Sequence, residues 1–326
     1  MKILYAGSPE ASAETLKILL ENQKSCGFEI AGVLTNPPSS QGRHKELIPT
    51  PVEDLARENN IPVFSPEHLD SACREQILPL GCELLVSFAY GHIFGPKFLA
   101  MFRYGGINLH PSFLPKYRGC TPIPEALKNR DESSGVTIQT LDLKMDEGDI
   151  LSQEEIQLTG NETAGSLLFD AARKGAVLIY ELLESVSKNG KVPEGKPQSG
   201  EASYTGIIRK SDGEIDWSKP ASEIDAKIRA YTPDPGCFTK CGNDIIRILS
   251  ATYFDELSSE LTLDASLLSS YESLPVGKVF HTNPVFGIDI KCGKGYLRVT
   301  ELQKPGKKAM SAKDFLNGAR DFNGKV

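Results

Sequence analysis

The chain is short of everything that marks a secreted, membrane-spanning or metal-built protein. No apolar run in its 326 residues approaches the roughly 20 needed to cross a bilayer. Met1-Lys2-Ile3-Leu4-Tyr5-Ala6-Gly7 passes straight into a strand pattern, without the basic start, apolar core and small-residue cleavage site of a signal peptide. The seven cysteines are odd in number and scattered, so reduced thiols and a cytoplasmic location are expected. Cys237 and Cys241 lie close together but have no second Cys/His pair to complete a metal site, and no metal is expected. Gly7-Ser-Pro-Glu lacks the glycine spacing of a dinucleotide fingerprint. There is no internal repeat. Basic charge is also in deficit: the net charge of −7 excludes indiscriminate nucleic-acid binding. The imbalance is uneven, at −8 before Ile207 and +1 from there on, which leaves room for a specific RNA contact in the second part.

What is present is a soluble globular composition, 40% hydrophobic and 24% charged, in a chain long enough for two domains. Strand patterns at Lys2–Ala6, Glu29–Thr35, Pro62–Phe64, Glu83–Phe88 and Ile107–His110 alternate with helical ones. The first helix carries Leu16, Leu19 and Leu20 on one stripe, with Ser8 as its expected N-cap and Pro9 in its first turn. The other helices are expected at Val52–Glu58 and near Ser71–Leu78. This alternation predicts a doubly wound, mostly parallel α/β sheet. Gly135–Leu141 and Ile150–Gln157 read as further strands, and Ala164–Leu183 as a long helix. The stretch 189–205 is rich in Gly, Pro, Ser and charge and reads as a linker between a domain at 1–188 and another at 206–326. Beyond it, one helix (Ala221–Tyr231) and short strands at Ile245–Leu249, Gly277–Phe280, Gly287–Ile290 and Tyr296–Leu302 predict a small, OB-like β-barrel. The acidic, serine-rich Asp255–Ser273 reads as a barrel loop.

Ile107-Asn-Leu-His110-Pro111 carries the chemistry. Side chains alternate along a strand, so Asn108 and His110 share a face, and Pro111 ends the ladder. An amide and an imidazole are thereby delivered to the C-terminal end of a strand, where open parallel sheets bind ligands. The turn Leu143-Lys-Met-Asp146-Glu147-Gly-Asp149 offers three carboxylates; one beside the imidazole would orient it and raise its pKa. From the residues alone, Asp146 and Asp149 are equal candidates. The Asn108 amide can donate to an oxygen that gains negative charge. Ser112 and Cys120 are near in sequence, but neither is spaced as a nucleophile to His110. The set suits acyl transfer to an amine through a tetrahedral intermediate.

Asn108-x-His110-Pro-Ser-Phe-Leu-Pro115, with Asp142-x₃-Asp146-x-Gly148-Asp149-Ile150, resembles the motifs of the formyltransferases that use 10-formyltetrahydrofolate. Within that family, four stretches resemble the members that act on methionyl initiator tRNA: Lys116-Tyr-Arg-Gly-Cys-Thr-Pro-Ile123; Thr35-Asn-Pro-x₄-Gly42-Arg43 with Pro49-Thr-Pro-Val52; Ile215-Asp-Trp217 with Arg229-Ala-Tyr; and Leu302-Gln-x₂-Gly306-Lys307-Lys308-x-Met310. The resemblance spans about Lys2 to Gly318. It implies Asn108, His110 and Asp146 as the catalytic trio. It implies a folate donor held by Ser112, Phe113, Leu114 and Pro115 and by Phe88, Tyr90, Gly91, His92 and Ile93. It further implies tRNA contacts at Arg43, Lys304, Lys307 and Lys308, and a monomer that uses neither metal nor membrane. The competing readings are a family member acting on a small acceptor (glycinamide ribonucleotide, an amino-sugar nucleotide or water) and a non-catalytic tRNA- or folate-binding module.

Overall fold

The structure is a computed structural model that describes residues 1–41, 46–241, 244–257, 261 and 270–318. The residues cluster into two compact units. One comprises 1–122, 133–158 and 166–206; the other comprises 123–132, 159–165 and 207 onward.

The first stretch of chain gives β1 (Lys2–Ala6), α1 (Glu10–Asn22), β2 (Glu29–Leu34), a hairpin of β3 (Ser39–Gln41) and β4 (Glu46–Ile48), and α2 (Pro51–Glu58). Next come β5 (Val63–Phe64), α3 (Ser71–Ile77), β6 (Leu84–Ser87), α4 (Pro96–Leu99), β7 (Gly106–His110) and β8 (Arg118–Gly119). After α5 (Pro122–Lys128) follow β9 (Ser133–Thr140), β10 (Ile150–Gln157), α6 (Ala164–Asn189) and β11 (Tyr204–Thr205). Seven strands form one sheet in the order β10-β9-β7-β6-β1-β2-β5. The run from β7 to β5 is parallel, while β9 pairs antiparallel to β7, and β10 to β9. The chain winds outward from β1 through β2 to β5 and then returns to the other side of β1. The topological switch point thus lies between β1 and β6, the place where such sheets bind ligands.

Alternation along the strands decides which face each residue serves. Ile3, Tyr5, Ile107 and Leu109 join a core with Leu16 and Leu19 of α1 and with Ala172, Ile179 and Leu183 of α6. Leu4, Ala6 and Leu85 join a second core with Tyr90, Phe94 and Phe98. Because Ile107 and Leu109 are committed to the first core, Asn108 and His110 face the other way.

Two expectations are corrected. Ser8 does not cap α1. Pro9 occupies the cap position and the helix begins at Glu10, while the Ser8 hydroxyl faces Thr35 Oγ1 at 3.3 Å and accepts from Asn36 N at 3.1 Å. Nor is 189–205 a free tether: α6 extends to Asn189, Lys196 bridges Ile150, and β11 pairs in parallel with β8. Hydrogen bonding and pairing draw this stretch, despite its composition, into the first unit.

The second unit contains α7 (Ala221–Ala230), β12 (Cys237–Cys241), β13 (Asp244–Phe254), β14 (Val279–Asn283), β15 (Gly287–Lys291), β16 (Tyr296–Gln303), β17 (Met310–Ser311) and α8 (Ala312–Gly318). The strands form an antiparallel sheet ordered β12-β13-β16-β15-β14, with β17 on β16. Thr239, Ile246, Ile248, Ile288, Ile290, Val299, Leu302 and Phe315 enclose its apolar interior. The motif residues here are structural: Trp217 is buried and donates to Thr239 Oγ1 at 3.0 Å, and Arg229 pairs with Asp225 at 2.9 Å. Most of Asp255–Ser273 lies outside the described residues; its end, Tyr271–Ser273, is a 3₁₀ turn.

Gly175 in α6 shows how tightly the first core holds β7. A Cβ added there would lie 2.2 Å from Leu109 Cδ1 and 2.7 Å from its Cγ. Alanine would gain about 1 kcal/mol of helix propensity, but overpacking a filled core costs roughly 1–3 kcal/mol. Gly175→Ala is therefore expected to lower stability in urea denaturation, and to displace Asn108 and His110, between which Leu109 lies.

Candidate functional site

The site is built where β7, β9 and three loops converge. In the antiparallel register, Gln139 lies opposite Asn108 and Thr137 opposite His110. These four side chains share one face. His110 is 4% exposed. Its Nε2 lies 2.9 Å from the Tyr117 carbonyl oxygen. A carbonyl only accepts, so Nε2 carries the proton, and in the neutral ring the lone pair sits on Nδ1. Nδ1 faces Asp146 Oδ1 at 3.5 Å. Among the described residues, the half-buried Asn108 amide has no protein partner and is open to a ligand.

Asp146 reaches this face because the loop after β9 folds back over the strand. Gly148 permits the fold: an added Cβ would lie 1.8 Å from the Thr140 carbonyl oxygen. Asp146 itself takes a left-handed backbone, with φ of 55°. Its carboxylate accepts from Gly119 N and from Gln139 Nε2, each at 2.8 Å. Asp146 is thus the carboxylate that the fold brings to the imidazole. Asp149 instead uses its backbone, N–H to Thr140 Oγ1 and carbonyl to Thr140 N.

Asp146 raises the His110 pKa as expected, but burial outweighs it. Burial is the dominant influence on His110 and pushes its pKa below the ordinary imidazole value; Asp146 and the Tyr117 carbonyl oppose the shift without reversing it. The ring is therefore neutral at pH 7. A neutral Nδ1 lone pair facing a carboxylate is repelled by it, which fits the 3.5 Å gap and the absence of a hydrogen bond across it.

The turn after β7 is rigid. Ser112 Oγ donates to Lys116 O at 2.7 Å, and Lys116 N to Phe113 O at 3.2 Å. Thr137 Oγ1 donates to Ser112 O at 2.7 Å and accepts from Leu114 N at 3.2 Å and Gln153 Nε2 at 2.9 Å. Gln153 also donates to Leu114 O at 2.9 Å. Leu114 is buried, while Phe113 is 44% exposed. Neither Ser112 nor Cys120 is a nucleophile for His110: the Ser112 hydroxyl serves Lys116, and the Cys120 thiol faces Gly206 O.

After β6, the Phe88 and Tyr90 side chains are core. Phe88 O accepts from Ser12 Oγ, Tyr90 O accepts from Asn36 Nδ2, and Asn36 Oδ1 lies 2.9 Å from His92 Nε2. A ligand at this strand end would meet the backbone of 89–93 and the exposed Ile93 rather than those two aromatic rings. Arg43 lies outside the described residues. Lys304 places its ammonium 4.7 Å from the Phe315 ring centroid, and Lys307 and Lys308 are exposed in the turn between β16 and β17. Among the described residues no cluster of three metal-ligating side chains occurs.

Residues 1–181 match the family described as formyl transferase, and 207–320 match its C-terminal domain. A methionyl-tRNA formyltransferase of Treponema denticola is 42% identical over 99% of this chain and 98% of its own. The chain belongs to the formyl transferase family. Its fold resembles that of the solved sugar 3N-formyl transferase WlaRD, with a TM-score of 0.63 at 19% identity over 94% of this chain and 99% of that one. It also resembles methionyl-tRNA formyltransferase from Clostridium thermocellum, with a TM-score of 0.58 at 18% identity over 79% and 95%. Fold alone does not separate family members with different acceptors.

Sequence reasoning missed Thr137, Gln139 and Gln153. The first two were discoverable: Gly135, Thr137 and Gln139 alternate with Val136 and Ile138, a half-polar face on a strand otherwise bound for the core. Thr137 is fully buried and its hydroxyl serves three partners. Thr137→Val keeps the shape but strands those partners. It is expected to cost about 1–3 kcal/mol in urea denaturation and to weaken donor binding more than it slows turnover.

Proposed function

We propose that this protein transfers the formyl group of 10-formyltetrahydrofolate to the α-amine of methionyl initiator tRNA. The observation that carries the chemistry is the open Asn108 amide on one face with a neutral, buried His110 and Asp146. The full-length relationship to a methionyl-tRNA formyltransferase supports the acceptor.

The amine attacks the formyl carbon, and the carbonyl oxygen becomes an oxyanion that accepts from Asn108 Nδ2. Because Nε2–H is committed to Tyr117 O, Nδ1 is the basic nitrogen that takes the amine proton. The resulting imidazolium is stabilised by Asp146. The proton then passes to the folate N10 as the carbon–N10 bond breaks, leaving tetrahydrofolate and an N-formyl amide. The folate supplies the activated carbon; the turn 112–115 and the backbone of 89–93 would hold it. Arg43, Lys304, Lys307 and Lys308 would meet tRNA phosphates.

The test is incubation with 10-formyltetrahydrofolate and methionyl-tRNAs. Formylation of initiator but not elongator tRNA is expected. Turnover on glycinamide ribonucleotide, an amino-sugar nucleotide or water without formylation of methionyl-tRNA would overturn the acceptor. Asn108→Ala should lower kcat by about 10²–10³, the usual cost of one oxyanion donor, with little change in folate KM.

The pH dependence follows from the direction of the His110 shift. Its folded pKa lies below the ordinary value of about 6.5, so kcat/KM holds at neutral pH and falls only as pH drops through that lowered value. Asp146→Asn removes the influence that raises it. The acid limb should then move to still lower pH while the maximal rate drops, as a pH–rate profile would show.

A further inference from the structure

Gln198 sits in the stretch whose composition reads as a linker, yet its side chain joins two loops of the site. Its Oε1 accepts from Arg118 Nε at 3.0 Å and from Nη2 at 2.8 Å. Its Nε2 donates to the backbone carbonyls of Asp146 and Gly148, both at 2.8 Å, and lies 3.4 Å from Gln139 Oε1. The same corner holds the Asp146 carboxylate: Arg118 precedes Gly119 of β8, whose N–H binds Oδ2, and Gln139 of β9 binds Oδ1. The neighbouring stretch fastens the same corner, since Tyr117 N donates to Ser203 Oγ at 2.8 Å and β11 pairs with β8. Arg118 Nη1 also reaches Tyr204 Oη at 2.8 Å and Glu147 Oε1 at 3.5 Å.

The geometry points to Gln198 as a positioning residue for the reaction: it clamps the left-handed backbone at Asp146 and thereby sets the carboxylate against Nδ1 of His110. Gln198 touches neither His110 nor the Asn108 amide; it reaches the imidazole through Asp146 or through Arg118, the neighbour of Tyr117 whose carbonyl binds Nε2, and an Asp146→Asn background separates the two routes. A left-handed φ at a non-glycine is strained, and the Gln198 bonds to the Asp146 and Gly148 carbonyls hold it. Asp146 is the charged group that acts on His110, while Arg118 and Glu147 are occupied with each other and with Gln198 and Tyr204. Nothing in the linker-like composition of this segment signals the role.

The inference rests on the reading of Asp146 as the partner of His110, and its test has a readout independent of the acceptor. The chain has five histidines, so the His110 ring can be followed by nuclear magnetic resonance of histidine-labelled protein. Gln198→Met keeps the length and volume of the side chain and removes both amide ends; Gln198→Ala is the second variant. In both, His110 should titrate lower than in the wild type, by about half a unit, a fraction of what a charge within 4–6 Å imposes. The shift should vanish when either change is made in an Asp146→Asn background, as coupling through one residue requires. In the formylation assay kcat should fall roughly 10–100-fold with folate KM held, the scale of a displacement near 1 Å. An unmoved or raised His110 titration overturns the proposal, as does a shift that persists with Asp146→Asn. Collapse of the His68 and His92 signals in both variants also overturns it, since Gln198 would then support the whole first unit. If methionyl-tRNA is not formylated at all, the titration still decides the role of Gln198.

Discussion

Antiparallel pairing of β9 with β7 is the constraint from which the site follows. A parallel strand in that place would need a crossover and would leave through the helical layer. An antiparallel one arrives beside His110, runs back past Asn108 and turns within the sheet edge. Its register sets Gln139 against Asn108 and Thr137 against His110. Thr137 then fixes the turn at 112–114, and Gln139 meets the loop that its own strand leads into. A slip of one residue would put Ile138 and Val136 on the polar face and expel Thr137 and Gln139 into the core. Those two valine and isoleucine side chains are fully buried beside Leu109, so the hydrophobic core enforces the register, and the register delivers the polar site.

The same face has to hold a carboxylate next to a buried imidazole without letting them neutralise each other prematurely. Gly119 N and Gln139 take both oxygens of Asp146. These bonds to a charged group act together with those from Gln198 to the Asp146 and Gly148 carbonyls to offset the backbone strain at Asp146, about 1–3 kcal/mol. The carboxylate is therefore stable while His110 is neutral, and its attraction grows only when Nδ1 gains a proton. Interaction that strengthens as charge develops is what accelerates a step; equal interaction in both states would not. Direct contact at hydrogen-bond distance in the resting site would instead hold the imidazole protonated and remove the base.

Legibility in the sequence divides along contact range. Asn108 and His110 were readable because strand alternation and Pro111 are local signals. The strand and helix order was readable for the same reason. Asp146 was recognisable only as one of two carboxylates until the motif resemblance singled it out, because its selection depends on a fold-back that Gly148 permits and no periodicity reports. Ser8 satisfies the local rule for a cap because it precedes Pro9, while its actual partner Thr35 directly follows β2. Gln198 and Arg118 are 80 residues apart, and a glutamine in a Gly/Pro/Ser-rich stretch carries no local mark of what it bonds. Likewise, the carboxylate beside His110 predicted a raised pKa, but the depth of burial that lowers it is a tertiary property.

The second unit shows why a count of basic residues misstates what a surface can do. From Ile207 onward the chain has slightly more cations than anions, yet several cations are spent internally. Arg298 is buried against Asp289, which also takes His281; the three are direct cross-strand neighbours on β14, β15 and β16. Lys291 is buried over the Tyr271 ring, and Arg229 is held by Asp225. Lys304 packs on Phe315, which leaves Lys307 and Lys308 as the outward pair of that cluster. Each phosphate contact contributes a slope of about −0.9 to the dependence of affinity on salt. Two or three such contacts change affinity about 10- to 40-fold across a fourfold change in salt, and contacts to phosphate carry no sequence information. On the proposed reading this turn orients an RNA that other contacts select, and the discrimination among acceptors has to arise close to the face that Asn108 and His110 share.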